Sequence, residues 1–401
     1  MVTNLFTSMS AAAAAPLVIE PVQALYVHVP FCASKCRYCD FYSMPNRSAG
    51  SMEQYVAGVL QEASWWTRPL AGTPLKTIFF GGGTPTVLPM DAMRKLVSGL
   101  RSALPIAPDA EWTVEANPAT ADLAYCHMLM DEGVNRLSIG AQSFIPAELA
   151  TLGRIHSADA IGRFVEDAHN AGFRRISIDL MYALPGQTPE SWQTSLAAAV
   201  ALGIGHLSCY CLTLEESTPM WEMVHLGKLP AVDDDVQLRY MKQTRAFLRQ
   251  NGFLPYEISN YALPGEECRH NLHYWNCDNY LGFGPGAASH IAGQRWRNAP
   301  DICLYLSEIS RNRVPLCDVE CLKTSERVNE MTMMMLRTAH GIDRKAFSRR
   351  IGQDAAMLFG HALDRLISLG LINLDEQHIA LTDAGMYVAD EVICELVREI
   401  D

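Results

Sequence analysis

The stretch His28-Val29-Pro30-Phe31-Cys32-Ala33-Ser34-Lys35-Cys36-Arg37-Tyr38-Cys39-Asp40-Phe41 decides how this chain is read. Directly after a β-branched run it sets three cysteines in the spacing Cys32-x3-Cys36-x2-Cys39. Thiolates are soft ligands that suit zinc or an iron–sulfur cluster. A structural zinc site closes with four protein ligands, and the nearest fourth candidate is His28. His28 lies inside the expected strand, so a Cys3His knot would need a tight return of the chain. The other reading is a [4Fe–4S] cluster with three protein ligands and one open iron.

Outward from this stretch, short apolar runs alternate with helical ones. Strands are expected over 24–29, 77–80, 112–116, 136–140, 176–180 and 206–211. Helical patterns fill the gaps, over 53–66, 89–100, 121–132, 158–171 and 189–202. Six strands in strict alternation with helices imply an α/β fold, a partial (βα)6 TIM-like barrel with one open side. In such barrels the chemistry sits where the strands end. The unusual residues stand there: the cysteines after strand one and Gly81-Gly82-Gly83-Thr84 after strand two. Glu115 closes strand three, Gln142 strand four, Asp179 lies on strand five, and Arg154 follows strand four. A glycine run lets backbone approach a ligand closely.

From about Pro230 the alternation stops, and 256–290 reads as irregular, aromatic connecting structure. From about Thr324 helical runs return, ending at Gly370 before two short apolar runs, a winged-helix-like pattern. The domain reading is a disordered tail over 1–20, the barrel over 21–230, a connecting segment over 231–323 and a mostly helical, winged-helix-like domain over 324–401.

Lys+Arg 32 against Asp+Glu 44 gives a net charge of −12. The last domain is acidic too, with 7 Lys+Arg against 11 Asp+Glu from Met331 onward, a net −4. Phosphate binding relies on clustered cations, so nucleic acid is not an expected partner. No run approaches the ~20 apolar residues of a membrane span. The first twenty residues lack the charged start and apolar stretch of a secretory signal, and the expected compartment is the cytoplasm. The nine cysteines outside the cluster motif are scattered; Cys317 and Cys321, at helical i,i+4 spacing, read as ordinary buried thiols, and Cys209 and Cys211 as core packing on one face of strand six.

The cysteine spacing, with Tyr38 between the second and third, resembles the radical S-adenosylmethionine (SAM) superfamily. That resemblance implies an open iron that chelates the amino and carboxylate groups of SAM, and one-electron cleavage of its sulfonium. The order of His28-Val29-Pro30-Phe31-Cys32, GGGTPT, EANP, GAQS and LPGQT is similar to the oxygen-independent coproporphyrinogen III oxidase family over nearly the whole chain after Pro21. By motif, Tyr26, Gly82 and Glu115 match that family's first SAM site. Tyr38, Gly83, Thr84, Gln142, Arg154 and Asp179 match positions around a second molecule in the true oxidases. The chain departs from the oxidases in two places: Phe41 stands where they carry a further cysteine, and only about twenty residues precede the barrel. Both departures match the heme-chaperone members of the family, which lack oxidase activity and hand heme to acceptor proteins.

The segment His270-Asn271-Leu272-His273-Tyr274-Trp275 resembles the HNxxYW motif associated with heme binding in that group. Neutral imidazole is a common axial ligand of heme iron, and the motif match points to His270, with His273 as the alternative. Trp275 and Tyr274 are expected to pack on a porphyrin face. The resemblance thus implies three cofactors, the [4Fe–4S] cluster, SAM and heme, and heme-accepting partners, respiratory hemoproteins among them. It leaves open a homodimer and peripheral membrane association through partners.

Overall fold

The computed structural model describes residues 20–45 and 48–400. The tail expected over 1–20 lies outside these residues except for Glu20, whose carboxylate pairs with Arg350 at 2.6 Å.

Strand β1 (Ala24–Val29) shows how the sheet is built. Leu25, Val27 and Val29 are fully buried in the main apolar core. Strand side chains alternate, so Tyr26 and His28 point to the opposite, inner face. The same alternation recurs in β2 (Leu75–Gly82), β3 (Ile106–Ala116), β4 (Arg136–Gln142), β5 (Arg175–Tyr182) and β6 (His206–Cys211). These six strands are parallel neighbours in sequence order. Helices α1 (Ala49–Trp66), α2 (Met90–Ala103), α3 (Leu123–Asp131), α4 (Pro146–Leu152), α5 (Ala158–Ala171) and α6 (Pro189–Ala201) cross between them. Local chemistry sets their ends. Ser157 caps α5 through the Ala160 amide, and Gly172 ends it in the left-handed conformation. Thr188 and Ser191 form a capping box ahead of α6, with Pro189 in its first turn. The partial α/β barrel read from the sequence is the fold observed.

The region after Pro230 departs from expectation. Following α7 (Pro219–His225) and α8 (Asp234–Gln250) come β7 (Leu254–Pro255), β8 (Asn260–Ala262), α9 (Arg269–Trp275), β9 (Tyr280–Phe283), β10 (Ala288–Ile291), β11 (Gln294–Asn298), α10 (Ile302–Ser310) and β12 (Leu316–Cys321). The segment expected to be irregular over 256–290 therefore carries regular elements, and they extend the barrel sheet. Its order is β12-β11-β10-β9-β1-β2-β3-β4-β5-β6-β8-β7, with β9 a seventh parallel strand beside β1. The run Tyr280-Leu281-Gly282-Phe283 is too short to show a period. Its glycine is needed because a Cβ at Gly282 would collide with the Ala288 carbonyl. Cys317 and Cys321 also differ from expectation: they lie on strand β12, not a helix, and Cys321 is exposed.

A second apolar core holds Leu336, Phe347, Leu363, Ile379 and Leu396. Around it α11 (Thr324–Met335), α12 (Arg344–Ile351), α13 (Ala355–Ser368) and α15 (Ala389–Ile400) pack, with α14 (Asp383–Met386) a single turn. Strands β13 (Ile342–Asp343), β14 (Ile372–Leu374) and β15 (His378–Leu381) form a small antiparallel sheet in the order β13-β15-β14. Helix α13 followed by Gly370 and this wing gives the winged-helix-like domain read from the sequence. Asp383 holds it to the barrel through Arg245 at 2.8 Å and Arg249 at 2.7 Å.

Candidate functional site: a cysteine-lined pocket at the strand ends

Pairing of β1 with β2 puts His28 opposite Gly81 and Val29 opposite Gly82. The loop after β1 and the glycine run after β2 therefore leave the sheet side by side. The Gly83 amide donates to the Val29 carbonyl at 2.8 Å, and the Thr84 amide to the Phe31 carbonyl at 2.7 Å. Gly82 has φ +105°, and a Cβ there would run into the His28 ring; a Cβ on Gly83 would meet the Phe31 carbonyl. The glycines are thus required by the close approach of two loops.

At the carboxyl ends of the strands lies a cavity of about 360 Å³, within the range of small-molecule sites. Cys32, Cys36 and Cys39 line one wall, with Tyr38, Gly82, Gly83, Thr84, Glu115, Gln142, Arg154 and Asp179 around the rest. The structure brings together all the sequence-selected residues for cluster and SAM except Tyr26. Tyr26 sits lower on β1, stacked on Phe79, and its hydroxyl bonds His28 Nδ1 at 3.0 Å. His28 Nε2 donates to the Tyr42 carbonyl at 2.9 Å once that tautomer is taken. His28 is therefore engaged within the barrel.

Among the described residues no three His, Cys, Asp or Glu side chains gather tightly enough for a single metal ion. A zinc knot would close four ligands at about 2.0–2.3 Å, whereas a [4Fe–4S] cube takes thiolates at separate corners. Burial pushes the Cys32 and Cys39 thiols up. Arg154 places Nη1 3.3 Å from Cys36 Sγ and Nη2 2.5 Å from the Gly140 carbonyl, while its buried Nε has no partner. A guanidinium in a cavity wall fits an anionic or hydroxyl-bearing ligand. Gln142 sits at a bulge with φ +68°, unusual for a residue with a side chain.

Two carboxyls share the floor. Burial, and then the charge of Asp179, push Glu115 up to about 8. Burial also raises Asp179, against hydrogen bonds from Ser208, Ser138 and Ser177. At the rim three apolar side chains face solvent: Phe41 (69% exposed), Ile155 (49%) and Tyr210 (40%). Ser138, Asn117, Tyr210 and Ile155 also line the cavity and were not selected from the sequence. Ser138 was findable: it alternates with Gly140 on β4, on the face that points inward.

The HNxxYW segment lies elsewhere. Helix α9 packs across the inner face near the start of β2, away from the cysteines. His270 is fully buried, bonded through Nδ1 to Thr77 Oγ1 at 2.9 Å and through Nε2 to Tyr274 Oη at 3.1 Å, and stacked on Phe79. Burial, and then the facing His273, lower its pKa to about 3. In this conformation neither ring nitrogen of His270 is free for iron. His273 is half-buried, 3.3 Å from the Asp278 carboxylate, and Trp275 is half-buried at the end of the helix.

Comparison with known proteins places this geometry. Residues 26–199 match the radical SAM superfamily model, and residues 322–388 match the HemN C-terminal domain. The chain is 33% identical to the heme chaperone HemW of Bacillus subtilis over 380 residues, 94% of this chain and 100% of that protein. It is 40% identical to heme chaperone HemW of Escherichia coli over 68% of this chain and 71% of that one. It is 33% identical to the mitochondrial radical S-adenosyl methionine domain-containing protein 1 of Bos taurus, over 94% of this chain and 88% of that one. Among solved structures, coproporphyrinogen III oxidase (HemN) of Escherichia coli superposes with a TM-score of 0.83 at 25% identity, covering 99% of this chain and 93% of that one.

Proposed function

Since the chain belongs to the heme chaperone HemW family of radical SAM proteins, we propose that it binds heme and passes it to acceptor hemoproteins, with a [4Fe–4S] cluster and SAM in the strand-end pocket. The observation that carries the reading is the end-to-end match to a heme chaperone, 100% of which is covered. The pocket fits the two groups. Cys32, Cys36 and Cys39 would hold the cluster. The cluster supplies a Lewis-acidic iron that chelates an amino acid and an electron for the sulfonium. Gly82 and Gly83 let the two loops close against each other at the cavity wall, Glu115 would accept from an ammonium or ribose, and the Arg154 guanidinium on the same wall would donate to the ligand. Asp179, Gln142, Tyr38 and Thr84 complete the polar wall.

Heme contact would fall on the His270–Trp275 helix. Ligation by His270 would require α9 to lift from β2, breaking the bonds to Thr77 and Tyr274. A cargo that must be released suits micromolar affinity, about −8 kcal/mol. The fold of HemN favours a second reading, oxidative decarboxylation of coproporphyrinogen III. Against it, Phe41 stands exposed at the pocket rim where the oxidase pattern has a cysteine. Among the described residues no helix is long and apolar enough to cross a membrane. Titration of heme into the anaerobically reconstituted protein tests the reading: a saturable Soret change supports it, and its absence removes it.

A further inference from the structure

A line of hydrogen bonds runs down the inside of the barrel from the pocket floor to α9. Asp179 Oδ1 lies 3.4 Å from Ser177 Oγ and 3.1 Å from Ser138 Oγ, which also lies 3.2 Å from Oδ2. Ser177 Oγ lies 2.7 Å from His206 Nδ1. His206 Nε2 lies 2.8 Å from Tyr256 Oη, which lies 3.5 Å from Asn271 Nδ2. Ser177, His206 and Tyr256 are all buried. β5 supplies Ser177 and Asp179, β6 supplies His206, the turn after β7 begins supplies Tyr256, and α9 supplies Asn271.

Proton counting fixes the direction of each bond. Ser177 Oγ donates to Asp179 Oδ1, a carboxyl oxygen that accepts. The single hydroxyl proton of Ser177 is then used, and Ser177 must accept from His206 Nδ1–H. His206 is neutral, since burial and then the Arg136 charge hold its pKa well below the usual value. Its Nε2 is therefore an acceptor, and Tyr256 must donate to it. The Tyr256 oxygen in turn accepts from the Asn271 amide, which has no other role to play toward it than donor. Every donor points toward Asp179.

We infer that His206 is a positioning residue for Asp179: with Tyr256 fixing its tautomer, it holds Ser177, and through Ser177 the carboxylate of Asp179, in place toward the ligand in the cysteine pocket. The inference rests on the reading of that pocket as a SAM site. It also ties the carboxylate to Asn271 on α9, the helix that carries the heme-motif residues.

The test uses the reconstituted holoprotein and titrates SAM calorimetrically into five forms. Asp179→Asn should weaken binding and establishes that this carboxylate meets the ligand. His206→Leu should weaken binding about tenfold, the scale of one hydrogen bond to a charged group. His206→Asn, whose amide nitrogen can stand in for Nδ1, should restore most of that loss. Tyr256→Phe removes one oxygen and should weaken binding while leaving the cluster absorbance intact. Nitrogen-15 spectra should show His206 as the Nδ1–H tautomer in the parent and a mixture in Tyr256→Phe. If Asp179→Asn binds SAM like the parent, the pocket reading falls and the inference with it. If Asp179→Asn weakens binding but Tyr256→Phe matches the parent in affinity and tautomer, the pocket reading stands and the positioning role is overturned. Should His206→Leu not fold, the Tyr256→Phe comparison still decides.

Discussion

The imidazole of His28 fills the space that a side chain at Gly82 would occupy. Through this contact the strand before the cysteines fixes the loop that follows β2, and so shapes one wall of the pocket. Gly82→Ala combines a steric collision with a left-handed backbone that alanine adopts poorly, for a cost of about 1–3 kcal/mol or more. Gly186 has φ +79° with open space around it, so Gly186→Ala carries the backbone cost alone. Denaturant unfolding should show Gly82→Ala to be clearly the more destabilised of the two, with SAM affinity lost as well. Equal stabilities would mean that the His28 contact does not constrain the loop.

The proposed cluster depends on the position of the thiols, not on their count. Replacing Cys32, Cys36 or Cys39 with Ala should abolish iron retention after anaerobic reconstitution, from about four irons and four sulfides per chain in the parent. Cys317→Ala and Cys321→Ala should retain it, because β12 lies at the far edge of the sheet. Iron and sulfide analysis with the visible spectrum decides; stoichiometric zinc without iron–sulfur absorbance would contradict the assignment.

The floor carboxyl Glu115 makes a signed prediction about pH. Its folded pKa is raised from 4.5 to about 8, so between those values the folded state holds a proton that the unfolded state has lost. Stability contributed by the protonated carboxyl is full below about pH 4.5 and is lost as pH rises toward 8. Glu62 and Glu257, both raised to about 7, slope the same way, so the variant must be compared with the parent. Glu115→Gln should match the parent near pH 5 and exceed it by up to a few kcal/mol at pH 8.5. Parallel stability–pH curves would show that Glu115 titrates normally.

Much of this was legible in the sequence. The runs at 24–29, 136–140 and 206–211 are apolar on alternate positions, and each became a barrel strand at those positions. The cysteines, glycines and carboxyls at the strand ends share one cavity because parallel strands send their following loops to one side. Tyr280–Phe283 escaped because four residues around a glycine carry no period. The Ser177–His206 bond escaped because it joins two strands that only the register aligns. The burial of His270 escaped because its contacts with Thr77 and Phe79 join residues almost two hundred positions apart.

That burial yields a further expectation. His270→Ala empties a core site and orphans Thr77 and Tyr274, so it should cost about 2–4 kcal/mol of stability. Tyr274→Phe frees His270 Nε2 and, if iron reaches that nitrogen, should strengthen heme binding and sharpen the Soret change. Trp275→Ala should weaken binding with a smaller spectral change. Heme titration of the three variants beside thermal unfolding separates the cases. Unchanged heme binding in all three would move the heme site off α9.

The function proposed for this chain is heme carriage without decarboxylation of a porphyrinogen. The most direct measurement incubates the reconstituted, heme-loaded protein with an apo-hemoprotein and follows the acceptor's Soret band. A parallel anaerobic reaction supplies coproporphyrinogen III, SAM and a reductant. Heme should pass to the acceptor, and no protoporphyrinogen should form. Robust formation of protoporphyrinogen, with no heme passed on, would contradict the proposed function.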